Sequence, residues 1–301
     1  MRERFYFWKR KSGYVTPLIA IVTIVTVSLA LIGGAYAWWY YDIKVPAEKK
    51  RLHQLALRKQ QADLAAIASF YKKSLAGVGI PQAIDILAEV RRNTLSVSAL
   101  GLAIKSVSFE CDTLSCAFGF KLQPGAILTL PVINFFGKTY PASIPVKREK
   151  DKAPVNDFEY TRAALPYKES RLLKEWQSNR TLSLHSCNEI ISYVNSYNSL
   201  LKSDKGEKTL VNGVITYKSY PASSVKDKEK ALAGQLKVRG LRSAAWEMQI
   251  NDESHLFYAR ATEINAQIAL YKQAYRDAFL IRKIESNDKG IKISGGLVCK
   301  A

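Results

Sequence analysis

From Val15 to Ala37 the chain carries no Asp, Glu, Lys or Arg. Leu18, Ile19, Ile21, Val22, Ile24, Val25, Val27, Leu29, Leu31 and Ile32 fill that stretch. A helix crossing the hydrocarbon of a bilayer needs about 20 predominantly apolar residues, and a helix satisfies its own backbone amides where no water can do so. Trp38, Trp39, Tyr40 and Tyr41 follow at once, aromatic side chains of the kind that gather at the membrane–water interface. Ala35-Tyr36-Ala37 has the small-x-small form of a cleavage site. The apolar core of a signal peptide, however, is only about 7–15 residues long. A longer run ending in bulky rings predicts a retained, single-pass anchor.

Arg2, Arg4, Lys9, Arg10 and Lys11 precede the anchor, and Lys44, Lys49, Lys50 and Arg51 follow it. Positive charge therefore biases the N-terminus only slightly towards the cytosol. The four cysteines all lie beyond the anchor, and disulfides persist in oxidising compartments. Both features predict a cytosolic stub with the bulk of the chain outside a bacterial inner membrane. The net charge of +19 is high, but it is spread along the chain. It points to anionic headgroups or an acidic partner rather than to nucleic acid, the alternative being Lys that simply solvates an ordinary surface.

Beyond the anchor, Pro46 to about Ala76 reads as a helical stalk. Leu57, Leu64, Ala68, Tyr71 and Leu75 form an interrupted heptad stripe on it, which reads either as a partner interface by coiled-coil contact or as the face of an amphipathic stalk packed on its own domain. Gly77-Val78-Gly79 breaks the stalk, and Pro81 opens a helix with Ile84, Leu87 and Val90 on one face. Alternation through Val107, Phe109 and Cys111, a turn at Asp112–Ser115, and a return from Cys116 to Leu122 predict a hairpin with Cys111 facing Cys116. Pro141, Pro145, the charged run Lys147–Lys152 and Pro154 mark a linker, and Tyr160 to Thr181 reads as helical with Leu172, Leu173 and Trp176 buried.

Ser186-Cys187-Asn188-Glu189 has the capping-box form ahead of Ile190, Ile191, Val194, Tyr197 and Leu201 at helical spacing. Asn212-Gly213 between β-formers predicts a hairpin, and Trp246 to Ile250 another strand. Phe257, Ala261, Ile264, Ile268, Tyr271, Tyr275 and Ala278 suggest one long helix from Glu253 to Arg282, its stripe serving as core or as a partner interface. Ile284 to Cys299 closes the chain as a hairpin. Four cysteines allow three pairings. Cys111 with Cys116 would fix a hairpin, and Cys187 with Cys299 would staple the second module, worth about 4–5 kcal/mol on a chain-entropy model.

Catalytic chemistry finds no footing. None of His53, His185 and His255 has a second ligand at metal spacing. Walker A, G-x-S-x-G and G-x-G-x-x-G patterns are missing, and Gly295-Gly296 reads as a strand irregularity. The expectation is a non-enzyme with no cofactor, no metal site and no catalytic residue.

With these parts in place, Val107-Ser-Phe-Glu-Cys-Asp-Thr-Leu-Ser-Cys-Ala-Phe-Gly-Phe-Lys121 resembles the hairpin of PilO-type accessory proteins of type IVb pili. The Ile284–Cys299 hairpin is similar to the last strands of such modules. The layout as a whole resembles the inner-membrane platform proteins of type IV pili and type II secretion. Larger members carry a cytosolic domain ahead of the span, where this chain has a stub, so contact with a cytosolic motor is not carried over. The resemblance implies a structural role, aligning the platform with periplasmic partners, and no catalytic residues. A bitopic subunit of a conjugative or type IV secretion channel shares the topology. A tethered envelope enzyme or sensor is the third class, one that needs a site or an output domain.

The expected fold is α+β. Residues 1–16 form the stub, 17–41 the transmembrane helix, 42–76 the stalk, 77–146 a first periplasmic ferredoxin-like module, 147–181 a linker and helix, and 182–301 a second such module. The expected partners are the bilayer and other platform proteins, in a homo- or hetero-oligomer joined through the helical stripes.

Overall fold

The computed structural model describes residues 21–100, 104–123, 125, 131–145, 157–167, 169–203, 213–251, 262–287 and 290–301. The chain divides into two units, Met1–Leu64 and Ala65–Ala301.

The first unit is helical throughout its described part. Helix α1 (residues 21–38) runs through a π-helical turn, Trp39–Lys44, into α2 (Val45–Leu75) without a break. This helix is long and apolar enough to cross a membrane, and its most apolar window is not buried by the protein. Two hydroxyls inside the run are satisfied on their own helix. Thr26 Oγ1 donates to the Thr23 carbonyl at 3.0 Å and Ser28 Oγ to the Ile24 carbonyl at 2.7 Å, which removes the cost of an unpaired donor in hydrocarbon. Pro46, expected to open a new helix, lies inside this one. Its ring has no N–H and crowds the carbonyl four residues back, and the wider π turn stands directly before it.

The second unit contains the end of α2, then α3 (Ile80–Ser98), β1 (Ile104–Cys111), β2 (Ser115–Leu122), β3 (Val132–Phe135), β4 (Lys138–Pro141), β5 (Phe158–Ala164), α4 (Arg171–Gln177), α5 (Cys187–Ser203), β6 (Ile215–Tyr217), α6 (Lys226–Ala231), β7 (Leu241–Asn251), α7 (Thr262–Tyr271), β8 (Phe279–Asn287) and β9 (Gly290–Lys300). Seven strands form one antiparallel sheet in the order β5-β2-β1-β8-β9-β7-β6, and β3 with β4 makes a separate hairpin. The mixed helix and antiparallel-sheet class is the expected α+β.

The two separate sheets expected for residues 77–146 and 182–301 are one sheet. β1 joins β8 through Glu110 opposite Glu285 and Cys111 opposite Ile284. Beyond that seam Ser286 Oγ accepts from the Phe109 N–H at 2.7 Å and donates to the Phe109 carbonyl at 3.3 Å. Two separate sheets would leave β1 and β8 as edges with unpaired amides. Pairing them covers the two edges at Glu110–Cys111 and Ile284–Glu285.

Side-chain alternation assigns the two faces. On one face Val107, Phe109, Phe118, Phe120, Trp246, Met248, Phe279, Ile281 and Leu297 pack with α3, α5 and α7. On the other, Leu241, Leu280 and Val298 pack with Ile67, Tyr71 and Leu75 of α2 and with Leu172 and Leu173 of α4.

Two helical expectations are corrected. Phe158–Ala164 is a strand beside β2, with Phe158 and Tyr160 inward and Glu159 between them, a period of two that the later Leu172-Leu173 pair outweighed. The long helix ends at Tyr271. Arg276 Nη2 donates to the Tyr271 carbonyl at 2.8 Å and Gln273 Nε2 to the Ala269 carbonyl at 2.9 Å, closing the helix. Phe279-Leu280-Ile281 is then a strand buried on both faces, and such a strand reads as a continuous apolar run rather than an alternation. Asn212, the stub and Lys147–Lys152 lie outside the described residues. β6, following Gly213, pairs with β7.

Candidate functional site

The last turns of α2 are held by four independent ties. Tyr71 is 0% exposed. Its hydroxyl donates to Glu229 Oε1 at 2.6 Å and accepts from the Leu241 N–H at 3.4 Å, while its ring stacks on Trp176 with centroids 5.7 Å apart. Burial, then the Glu229 carboxylate, pushes the Tyr71 hydroxyl far above its ordinary pKa, so it is a permanent donor. Ser170 Oγ donates to the Leu75 carbonyl at 2.6 Å and accepts from the Leu173 N–H at 3.1 Å. One hydroxyl thus caps the end of α2 and the start of α4.

Arg282 provides the third tie. Its guanidinium donates to the carbonyls of Lys73 (2.8 Å), Ser74 (3.0 Å) and Ala76 (3.1 Å). A cation at a helix C-terminus meets the negative end of the dipole and the carbonyls left unpaired there. Beyond the helix Gly77 turns with φ +134°, where a side chain is strained. Val78 then pairs with Ile281 by two 2.8 Å backbone bonds, the fourth tie.

The sheet is shaped for this seat. A register shift between Ile281 and Lys283 lets β8 turn both Arg282 and Lys283 to the stalk side, the re-aiming that a bulge performs. Gly295 stands opposite. A Cβ there would overlap the Leu280 carbonyl oxygen, and one on Gly296 would meet Arg282 Nη2 at 2.5 Å. The glycine pair is therefore the strand irregularity expected from the sequence.

The rest of that sheet face carries ion pairs. Lys283 meets Glu110 at 2.8 Å and Glu285 at 2.5 Å, and Lys292 meets Glu247 at 2.8 Å. The Lys292 hydrogen bond holds the Glu247 carboxyl below its usual range. Both sheet edges carry closures. Asn198 takes the N–H of Ile215 at 3.0 Å and its carbonyl at 2.8 Å on β6. Ser143 pairs with Glu159 on β5, and Tyr140 Oη accepts from the Ala164 N–H at 2.9 Å.

Disulfides join Cys111 to Cys116 and Cys187 to Cys299. The capping box forms reciprocally: the Ser186 N–H donates to Glu189 Oε2 and the Glu189 N–H to Ser186 Oγ, each at 3.2 Å. Trp38, Trp39, Tyr40 and Tyr41 are exposed, and Lys44 Nζ lies 5.5 Å from the Tyr40 ring centre. Among the described residues no group of three or more His, Cys, Asp or Glu could hold a metal ion.

The predicted stalk stripe divides. Leu57 and Ala68 are exposed, Leu64 is half-buried, and Tyr71 and Leu75 lie in the chain's own core. Those last two are removed from any partner interface. The other stripe divides too. Ile268 and Tyr271 are exposed at 45% and 65%, while Ile264 and Tyr275 are half-buried. Ala266 and Leu270 make the buried side of α7 instead. Phe257 and Ala261 lie outside the described residues. Sequence reasoning missed Glu229, Ser170 and Arg282. The first two sit in polar stretches with no periodicity, and Arg282 fell inside the overextended helix. The Gly295-Gly296 pair was the one signal of a close approach.

No family model, curated protein or solved structure matches this chain.

Proposed function

We propose that this chain is a non-catalytic, single-pass inner-membrane component of a type IVb pilus assembly machine or a related secretion machine. Its N-terminus is cytosolic and the unit from Ala65 is periplasmic, aligning the membrane platform with periplasmic partners. The observation that carries the reading is a single unbroken helix, Ile21–Leu75. It is apolar where no protein covers it and tied by four sets of bonds where it ends. The two disulfides support the periplasmic side, since such bonds persist in oxidising compartments.

Connectivity supports the kinship with pilus platform modules. α5-β6-α6-β7-α7-β8-β9, with strands ordered β8-β9-β7-β6, has the strand neighbours of a ferredoxin-like unit begun at its first helix, with α6 inserted between β6 and β7. We read α3, β1 and β2 as an extension of that unit across β8. The sealed sheet edges favour docking through exposed helical surface, such as Leu57 and Ile268, over strand addition.

A reporter enzyme active only outside the cytosol, fused to Ala301, is expected to be active, and a chain deletion is expected to abolish piliation. An inactive reporter overturns the topology. Intact pili with lost conjugative transfer would move the role to a conjugation channel.

A further inference from the structure

We propose that the groove between α2, α6 and β7 binds a phosphate-bearing anion. The groove has a volume of about 560 Å³, within the usual range for small-ligand sites of about 300–1,000 Å³. Its charged lining is Lys73, Lys228 and Arg282, with no Asp or Glu. Ser69, Ser224 and Ser243 add hydroxyls around those cations. Neither Lys73 nor Arg282 has a carboxylate partner among the described residues, and the three bonds of Arg282 all go to neutral carbonyls. Burial lowers the pKa of Arg282. Glu229, the buried acid of α6, does not line the groove, because its carboxylate accepts from Tyr71 and from the Gly240 N–H.

The second groove on this face makes the contrast. It holds about 460 Å³ and is lined by Glu247 and Glu285 as well as Lys218, Arg282 and Lys292, and Lys292 is paired with Glu247, so acids stand among its cations. The groove at the stalk sets Lys73, Lys228 and Arg282 beside hydroxyls with no acid in its lining, the combination that recognises phosphate oxygens. The phosphate could be a soluble anion or the headgroup of a lipid. The inference does not rest on the pilus reading, and its test reads binding alone.

The test uses the full chain in nanodiscs of zwitterionic lipid, titrated with pyrophosphate by calorimetry. A second series uses discs containing phosphatidic acid. Saturable binding is expected, weakened at least tenfold in Lys73→Gln/Lys228→Gln. The control Lys121→Gln/Lys138→Gln removes the same charge outside the groove and is expected to leave the affinity unchanged. Pyrophosphate affinity equal in both discs assigns a soluble ligand. Competition by phosphatidic acid, relieved in the groove variant alone, assigns a headgroup. Arg282 is left intact because it caps α2, and thermal melts check that both variants fold. Absence of saturable binding in the zwitterionic discs, or equal weakening in the two double variants, overturns the proposal.

Discussion

The helix from Ile21 to Leu75 is apolar near both ends, and its two ends are treated in opposite ways. Leu31 is 68% exposed, while Leu75 is fully buried. At the start, apolar side chains cover the whole circumference and hydroxyls fold back onto their own helix. At the finish the apolar residues are Ile67, Tyr71 and Leu75, spaced to face one side, and the polar groups reach other elements through Ser170, Glu229 and Arg282. An all-round apolar helix has to find an apolar medium. A one-sided one needs only a neighbour, and here the neighbour is the sheet of its own chain.

Substitutions separate the two ends by size of effect. Val25→Arg with Leu29→Arg puts two charges where lipid is expected, at about 3 kcal/mol each. Alkaline extraction of membranes is expected to release the double variant while thermal unfolding of the body stays unchanged. Retention in the membrane would break the comparison at its first term. In the body, Cys187→Ser with Cys299→Ser opens a cross-link of sequence separation 112, a loss of about 4–5 kcal/mol. Cys111→Ser with Cys116→Ser opens one of separation 5 and is expected to cost about half as much by the same loop-length argument. Denaturant midpoints of the two variants in one membrane mimetic give the ranking.

Leu75→Ala and Leu31→Ala sharpen the contrast most directly, since the same atoms are removed. The first is expected to destabilise the body by about 2–5 kcal/mol through a buried cavity. The second is expected to leave its unfolding midpoint in place. Equal effects would mean that the two ends share one environment.

The smallest effect belongs to the exposed ion pairs on the sheet. Glu247 has a depressed folded-state pKa, so its contribution is present above the ordinary carboxylate range and is lost as pH falls through the depressed value. Its side chain is 46% exposed, and solvent screening limits the loss to about 0.5 kcal/mol. A Glu247→Gln variant should match the parent in acid and fall slightly below it at neutral pH.

Local patterns were legible in proportion to how local their causes are. The Ser186–Glu189 capping box, the Cys111–Cys116 turn and the final hairpin need only near neighbours and were readable residue by residue. The overextended helix shows the limit. Ile264, Ile268, Tyr271 and Tyr275 keep a four-three spacing across a helix end made by Arg276 and Gln273, and a spacing does not contain the carbonyls that those side chains cap. Phe279-Leu280-Ile281 hid its strand because the sheet is covered on both faces there. For the candidate seat only the glycine pair could be read in advance.

The chain's own order of residues determined that one segment cannot rest in water, that the remainder is α+β, and that cysteines stand at the ends of a hairpin and of a module. Each of these is set by composition or by neighbours along the chain. Tertiary structure alone decided that β1 and β8 share a sheet, that Tyr71 and Leu75 turn inward, and that Arg282 closes the stalk helix. These depend on which distant surfaces meet, and the pairing of an edge or the capping of a carbonyl has no periodicity to announce it.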